Sequence, residues 1–120
     1  MLALTETFRW NDGDGSQWLF NVSAINAHID AHPEQWEPID LGIDYDLYAH
    51  CAKNGVEQWK LDRIDAATCR PVLAAERGDG SHILIDGNHR VVARWRAGFA
   101  EIPAYMIPRT FWHPTYGWQI

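Results

Sequence analysis

Ile83-Leu84-Ile85-Asp86-Gly87-Asn88-His89-Arg90-Val91-Val92-Ala93-Arg94-Trp95 is the stretch whose reading decides the fold of this chain. Ile83 to Ile85 is a short apolar run and reads as a buried strand. Asp86-Gly87 is a turn pair. Beyond it Val91, Val92, Trp95 and Phe99 fall at helical spacing on one apolar face. Asn88, His89 and Arg90 then occupy the first helical turn, where unpaired backbone N–H groups and the positive end of the macrodipole favour anions, phosphates above all. Glycine at 87 lets a ligand approach the backbone, and arginine at 90 can grip phosphate through two parallel hydrogen bonds. The segment reads as strand, glycine turn and anion-binding helix start.

Working outward, Pro71-Val72-Leu73-Ala74-Ala75 reads as a strand, residues 77–81 as a hairpin loop, and His82 to Asp86 as the returning antiparallel strand. Ile102 to Ile107 is the last strand of this region, closed by Pro108. Toward the N-terminus, Leu4, Glu6, Phe8 and Trp10 alternate with polar residues, as do Trp18, Phe20 and Val22, which predicts a β-hairpin over residues 4–22. Asp12, Asp14 and Ser16 alternate in its loop, but Gln17 and Ser23 stand where a calcium loop needs glycine and glutamate, so a plain turn is expected. Ser23 is the expected cap of a helix through Ile25, Ile29 and His32. Asp44 is the expected cap of another through Leu47, Tyr48 and Cys51, stopped by Gly55. Trp59, Leu61 and Ile64 suggest a further helical turn. His28, Asp30 and His32 invite a zinc reading, yet lack a third ligand and read better as an exposed polar face; no metal site is expected. The tail, residues 111–118, reads as an aromatic flap packed on the hairpin or, less simply, as a protein-binding strip. The expected class is α+β: a small mixed sheet with packed helices and an N-terminal β-hairpin.

The 120 residues suit one domain spanning 1–120. A net charge of −6 works against non-specific nucleic-acid binding, which depends on lysine and arginine. Cys51 and Cys69 fit no metal spacing and read as free thiols in a reducing compartment. With no signal-like N-terminal stretch and no long apolar run, a cytoplasmic protein away from membranes is expected.

Asp86-Gly87-Asn88-His89-Arg90, the helix after it, Gly98 and Glu101-Ile102-Pro103-Ala104-Tyr105 together resemble the core of the ParB/sulfiredoxin superfamily, over about residues 71–108. Gly87, His89, Arg90 and Ile102-Pro103-Ala104 match the sulfiredoxin pattern; Gly87, Arg90 and Ala93 match that of ParB. Asn88 stands where sulfiredoxin has its reactive cysteine and ParB a glutamate, and Val92 where ParB has a further arginine. Sulfinic acid reduction and sequence-specific DNA binding are therefore not expected. The resemblance implies a shared phosphate-binding frame.

On this reading Gly87, Asn88, His89, Arg90 and Arg94 bind a phosphate-bearing ligand, such as ATP or CTP with magnesium, and His89 and Asp86 carry any catalysis. His89 would be a general acid or base. Asp86 would cap the helix or hold magnesium, and Arg94, one turn after Arg90, would extend the basic patch. Glu76 or Asp62 are further carboxylates that could approach. The implied activity is nucleoside triphosphate hydrolysis or phosphoryl transfer. Two alternatives stay open: a non-catalytic interaction or accessory protein of phage or plasmid type that keeps the fold, and a ParB-like nuclease. The site reading expects Arg90→Ala to abolish ligand binding and leave stability nearly intact.

Overall fold

Alternating aromatic residues place the N-terminal hairpin in register. In the computed structural model, which describes residues 6–11, 15–111 and 117–119, strand β1 (Thr7–Asn11) pairs antiparallel with β2 (Gln17–Asn21). Phe8 lies opposite Phe20 and Trp10 opposite Trp18. Asp12 and Asp14, on which the calcium reading turned, lie outside the described residues. Strand β7 (Gly117–Gln119) pairs antiparallel with the other edge of β2, giving a three-stranded sheet. The tail thus extends the hairpin edge to edge; residues 112–116 lie outside the described residues.

Helix α1 (Val22–Ala31) follows β2 without a loop. Its cap is Asn21, whose Oδ1 accepts from the Ala24 N–H at 2.9 Å, not Ser23 as expected. The hairpin strand runs directly into the helix, so its last residue takes the cap position. The Ser23 hydroxyl instead accepts from the Glu6 N–H at 2.8 Å, anchoring the entry to β1.

The second sheet has the order β3-β6-β4-β5, built from β3 (Ile39–Gly42), β4 (Val72–Glu76), β5 (His82–Asp86) and β6 (Glu101–Ile107). β4 and β6 run parallel while the outer pairs are antiparallel, so the sheet is mixed as expected. β4 explains why: its first four residues are buried, the even-numbered ones facing one layer and the odd-numbered ones the other. Leu73 and Ala75 join Phe20, Ile25 and Ile29; Val72 and Ala74 join Val91, Val92, Ile102 and Cys51. Each fully buried aliphatic side chain contributes about 1.5–3 kcal/mol. Burial pushes the Cys51 thiol up to about 11, and both cysteines are free. β3 was not expected. It is an edge strand of four residues in which only Leu41 is buried, and Pro38 and Asp40 hide its alternation.

Helix α2 (Tyr45–Lys53) starts on Asp44, whose carboxylate accepts from the Leu47 N–H at 2.8 Å, and Gly55 follows at φ 84°. A single turn, α3 (Gln58–Leu61), precedes β4. Helix α4 (Asn88–Arg96) buries Val91 and Val92 and stacks Trp95 on Tyr48, ring centroids 5.3 Å apart. Phe99 does not continue this face: Gly98, at φ 89°, turns the chain, and the Phe99 ring lies 3.9 Å beneath the Arg94 guanidinium. Among the described residues no helix is long and apolar enough to cross a membrane.

Candidate functional site

The start of α4 needs glycine for two independent reasons. Gly87 has φ +122°, a backbone conformation costly for L side chains, and a Cβ there would sit 2.4 Å from Val72 Cγ1. The β5-to-α4 junction thereby lies directly on β4. It opens a cleft of about 500 Å³ between three elements: Glu6, Thr7 and Phe8 at β1, Lys60, Arg63 and Ile64 at α3, and residues 84–90 between them. Four of the residues expected to bind ligand, Gly87, Asn88, His89 and Arg90, line this cleft together with Asp86. The first turn of α4 lines it, and the helix ladder begins only with Val91 N–H to Gly87 O at 3.0 Å, so the N–H groups of residues 88–90 have no partner within the helix.

The side chains take different roles from those expected. Arg90 is a strut: its guanidinium donates to Asp86 Oδ2 at 3.0 Å, to the Pro71 carbonyl at 2.7 Å and to the Arg70 carbonyl at 3.1 Å. With all three contacts made and its side chain 17% exposed, it holds α4 to the entry of β4. Asp86 makes no side-chain cap on α4; the i,i+4 pairing with Arg90 draws its carboxylate along the helix instead. Arg94 lies outside the cleft, since its Nε and Nη2 donate to the Glu101 carbonyl at 3.0 and 2.8 Å and its Nη1 to Ala66 O at 2.8 Å. His89 Nε2 accepts from the Glu57 N–H at 3.0 Å. A neutral ring so bonded carries its proton on Nδ1, and its Nε2 lone pair is already engaged rather than free to act as a base. The same bond ties the cap residue of α3 to the first turn of α4 and sets where Lys60 and Arg63 stand.

Sequence reasoning missed three charged lining residues. Glu6 counted merely as one member of an alternating run, although an acid at an otherwise apolar position was a signal. Its carboxyl end lines the cleft beside the Asp86 carboxylate. Burial of that end, and then the Asp86 charge, raises its pKa above the ordinary glutamate value, while Arg90 and Lys60 pull it back. Lys60 and Arg63 carried no sequence signal linking them to residue 87, because only the fold brings α3 beside α4. Neither Glu76 nor Asp62 approaches: Glu76 ends β4 opposite His82, and Asp62 accepts from Gln58 at 2.9 Å.

Elsewhere, His28 and His32 stack at 4.4 Å, and Arg70 draws Asp30 away into an ion pair at 2.9 Å. No group of three metal-ligating side chains occurs among the described residues. Comparison of the chain with protein-family models, with curated proteins and with solved structures gives no match.

Proposed function

We propose that this cleft binds a phosphate-bearing ligand, a nucleoside triphosphate with magnesium, and acts on its terminal phosphate by hydrolysis or phosphoryl transfer. One observation carries the reading: a glycine-started helix N-terminus, two cations, Lys60 and Arg63, and two neighbouring carboxyl groups, Glu6 and Asp86, line one cleft. The resemblance of residues 86–90 and 102–104 to the ParB/sulfiredoxin superfamily supports it.

The division of labour follows from the contacts. Backbone N–H groups of the first α4 turn and His89 Nδ1–H donate to phosphate oxygens. Lys60 and Arg63 neutralise charge on the opposite side. Arg90 fixes the position of the Asp86 carboxylate at the cleft wall through their 3.0 Å ion pair. Asp86 fits a divalent cation, because magnesium is held by one or two carboxylates together with substrate phosphates, and Asp86 lines the cleft beside the first turn of α4. When bound, the ion neutralises and orients the phosphates. With its raised pKa, Glu6 takes the proton of the attacking hydroxyl or water.

A second reading, a nucleotide-binding module without catalysis, is favoured by one observation: His89 and Arg90, the most reactive-looking residues of the motif, are engaged in scaffolding. Thermal shift with ATP, CTP and free phosphate, each with and without magnesium, joined to a phosphate-release assay, tests both. Ligand at about 100 times its dissociation constant should stabilise by roughly 2.7 kcal/mol. Loss of that shift in Lys60→Gln/Arg63→Gln is expected. Turnover abolished in Glu6→Gln with binding retained supports catalysis; binding with no turnover in the unaltered chain supports the module. No stabilisation by any phosphate compound refutes both.

A further inference from the structure

The fold gives Trp59 nothing to do. It is 54% exposed on α3, a turn with no buried residue, and no other aromatic ring packs on it among the described residues. The exposed aromatics elsewhere differ: Tyr45 packs with Tyr48 and Trp95, Phe99 lies under Arg94, and Phe111 lies against Trp36. What does lie on the Trp59 indole are the two cations of the cleft, Arg63 at 5.1 Å and Lys60 at 5.5 Å from its centroid.

Arg63 makes the arrangement informative. Among the described residues its guanidinium has no hydrogen bond or ion pair, and it rests over this ring. An exposed cation–π contact is weak, and a phosphate attracts guanidinium more strongly through charge-assisted hydrogen bonds. A phosphate in the cleft would draw Arg63 off the indole and bare a ring face that does not itself line the cleft but adjoins it, next to the lining residues Lys60 and Arg63. A nucleotide carries a flat aromatic base beyond its phosphates, and an exposed indole is a stacking platform for any base.

We infer that Trp59 is the nucleobase platform of the cleft, exchanging its Arg63 cover for the base as Arg63 turns to the phosphates. This rests on the nucleotide-binding reading above and adds to it the place of the base and the residue that discriminates a nucleotide from an inorganic or sugar phosphate. Stacking tolerates every base, so ATP and CTP should bind with similar affinity, and the protein should favour either over inorganic tripolyphosphate.

The test is calorimetric titration of the full chain with magnesium-ATP, magnesium-CTP and magnesium-tripolyphosphate, in the unaltered protein, Trp59→Ala and Trp59→Phe, with circular dichroism confirming that each variant is folded. Trp59→Ala should weaken both nucleotides by about ten-fold or more, Trp59→Phe should recover most of that loss, and tripolyphosphate affinity should not change. Tripolyphosphate and nucleotide binding that both survive Trp59→Ala undiminished would overturn the platform and leave the phosphate site standing. Equal loss of tripolyphosphate and nucleotide affinity in folded Trp59→Ala would also overturn it, making Trp59 a support for Arg63. If no probe binds the unaltered chain, the phosphate reading falls and the platform with it.

Discussion

Replacing Arg90 with alanine should destabilise the fold, which reverses what the motif alone suggests. The guanidinium holds three acceptors: the Asp86 carboxylate at 3.0 Å and the carbonyls of Pro71 and Arg70 at 2.7 and 3.1 Å. Hydrogen bonds involving a charged group are worth about 1.5–3 kcal/mol each when well formed. This trio is not fully buried, so the lower end applies, and the Arg70 carbonyl bond is exposed enough to be replaced by water. A loss of about 2–4 kcal/mol follows, a large share of the roughly 5–15 kcal/mol that holds a domain of this kind together. Each kcal/mol moves the melting point by about 3–6 °C at this chain length, so a fall of roughly 10–20 °C is expected. Arg90→Lys should recover only part of it, because an ammonium cannot serve three acceptors in a fixed plane. The deficit should also depend on pH. Arg90 offsets the mutual repulsion of Glu6 and Asp86, so its loss hurts most when both carboxyls are ionised and less as acid protonates one of them. Urea and thermal unfolding followed by circular dichroism at pH 5 and pH 8 would measure this. An Arg90→Ala protein that melts within a degree or two of the parent, yet no longer binds phosphate compounds, would refute the strut and restore arginine as the ligand grip.

Glu6→Gln should stabilise the protein at neutral pH. The raised pKa means that the folded state binds this proton more tightly than the unfolded chain. The stability it brings is therefore full below the unfolded value and lost as pH rises through the folded one. Glutamine carries no charge to desolvate or to repel Asp86 at any pH, so the melting-point gain over the parent should appear above the carboxylate range and vanish below about pH 4; no gain at pH 7 would refute the burial and repulsion of the Glu6 carboxylate. Gly87→Ala should cost about 2–5 kcal/mol from positive φ and the Val72 clash combined, whereas Gly98→Ala, also at positive φ but with nothing within 4 Å, should cost about 1–2 kcal/mol. Equal costs by chemical denaturation would refute the close approach of Gly87 to β4.

Periodicity made most of the fold legible. The hairpin, the α2 cap at Asp44 and the strand–turn–helix at residues 83–95 are local patterns, each fixed by alternation, by a capping side chain or by glycine. What stayed hidden was non-local. β3 is short and mostly exposed, and only its pairing with β6 makes it a strand. Asn21 took the α1 cap from Ser23 because the hairpin register ends there, a constraint that helix signals alone do not carry. The position of the candidate site was legible for the same reason as the fold: Gly87 and the first turn of α4 form a local motif. Its chemistry was not. Arg90 and Arg94 looked like ligand grips in one dimension, yet backbone carbonyls distant in sequence occupy them. Glu6, Lys60 and Arg63 reach the cleft from elements far from residue 87 in sequence, and no spacing rule reports such a meeting.

The most direct test of the account is an amide-resolved NMR titration of the unaltered chain with magnesium-ATP. The expected result is saturable movement of the Asn88 and His89 amide resonances, accompanied by Lys60, Arg63 and the Trp59 indole N–H, with the helix α1 amides unmoved. Saturable movement that spares residues 86–90 and gathers elsewhere on the surface, or no movement at millimolar nucleotide, would contradict the claim that this cleft is a nucleotide site.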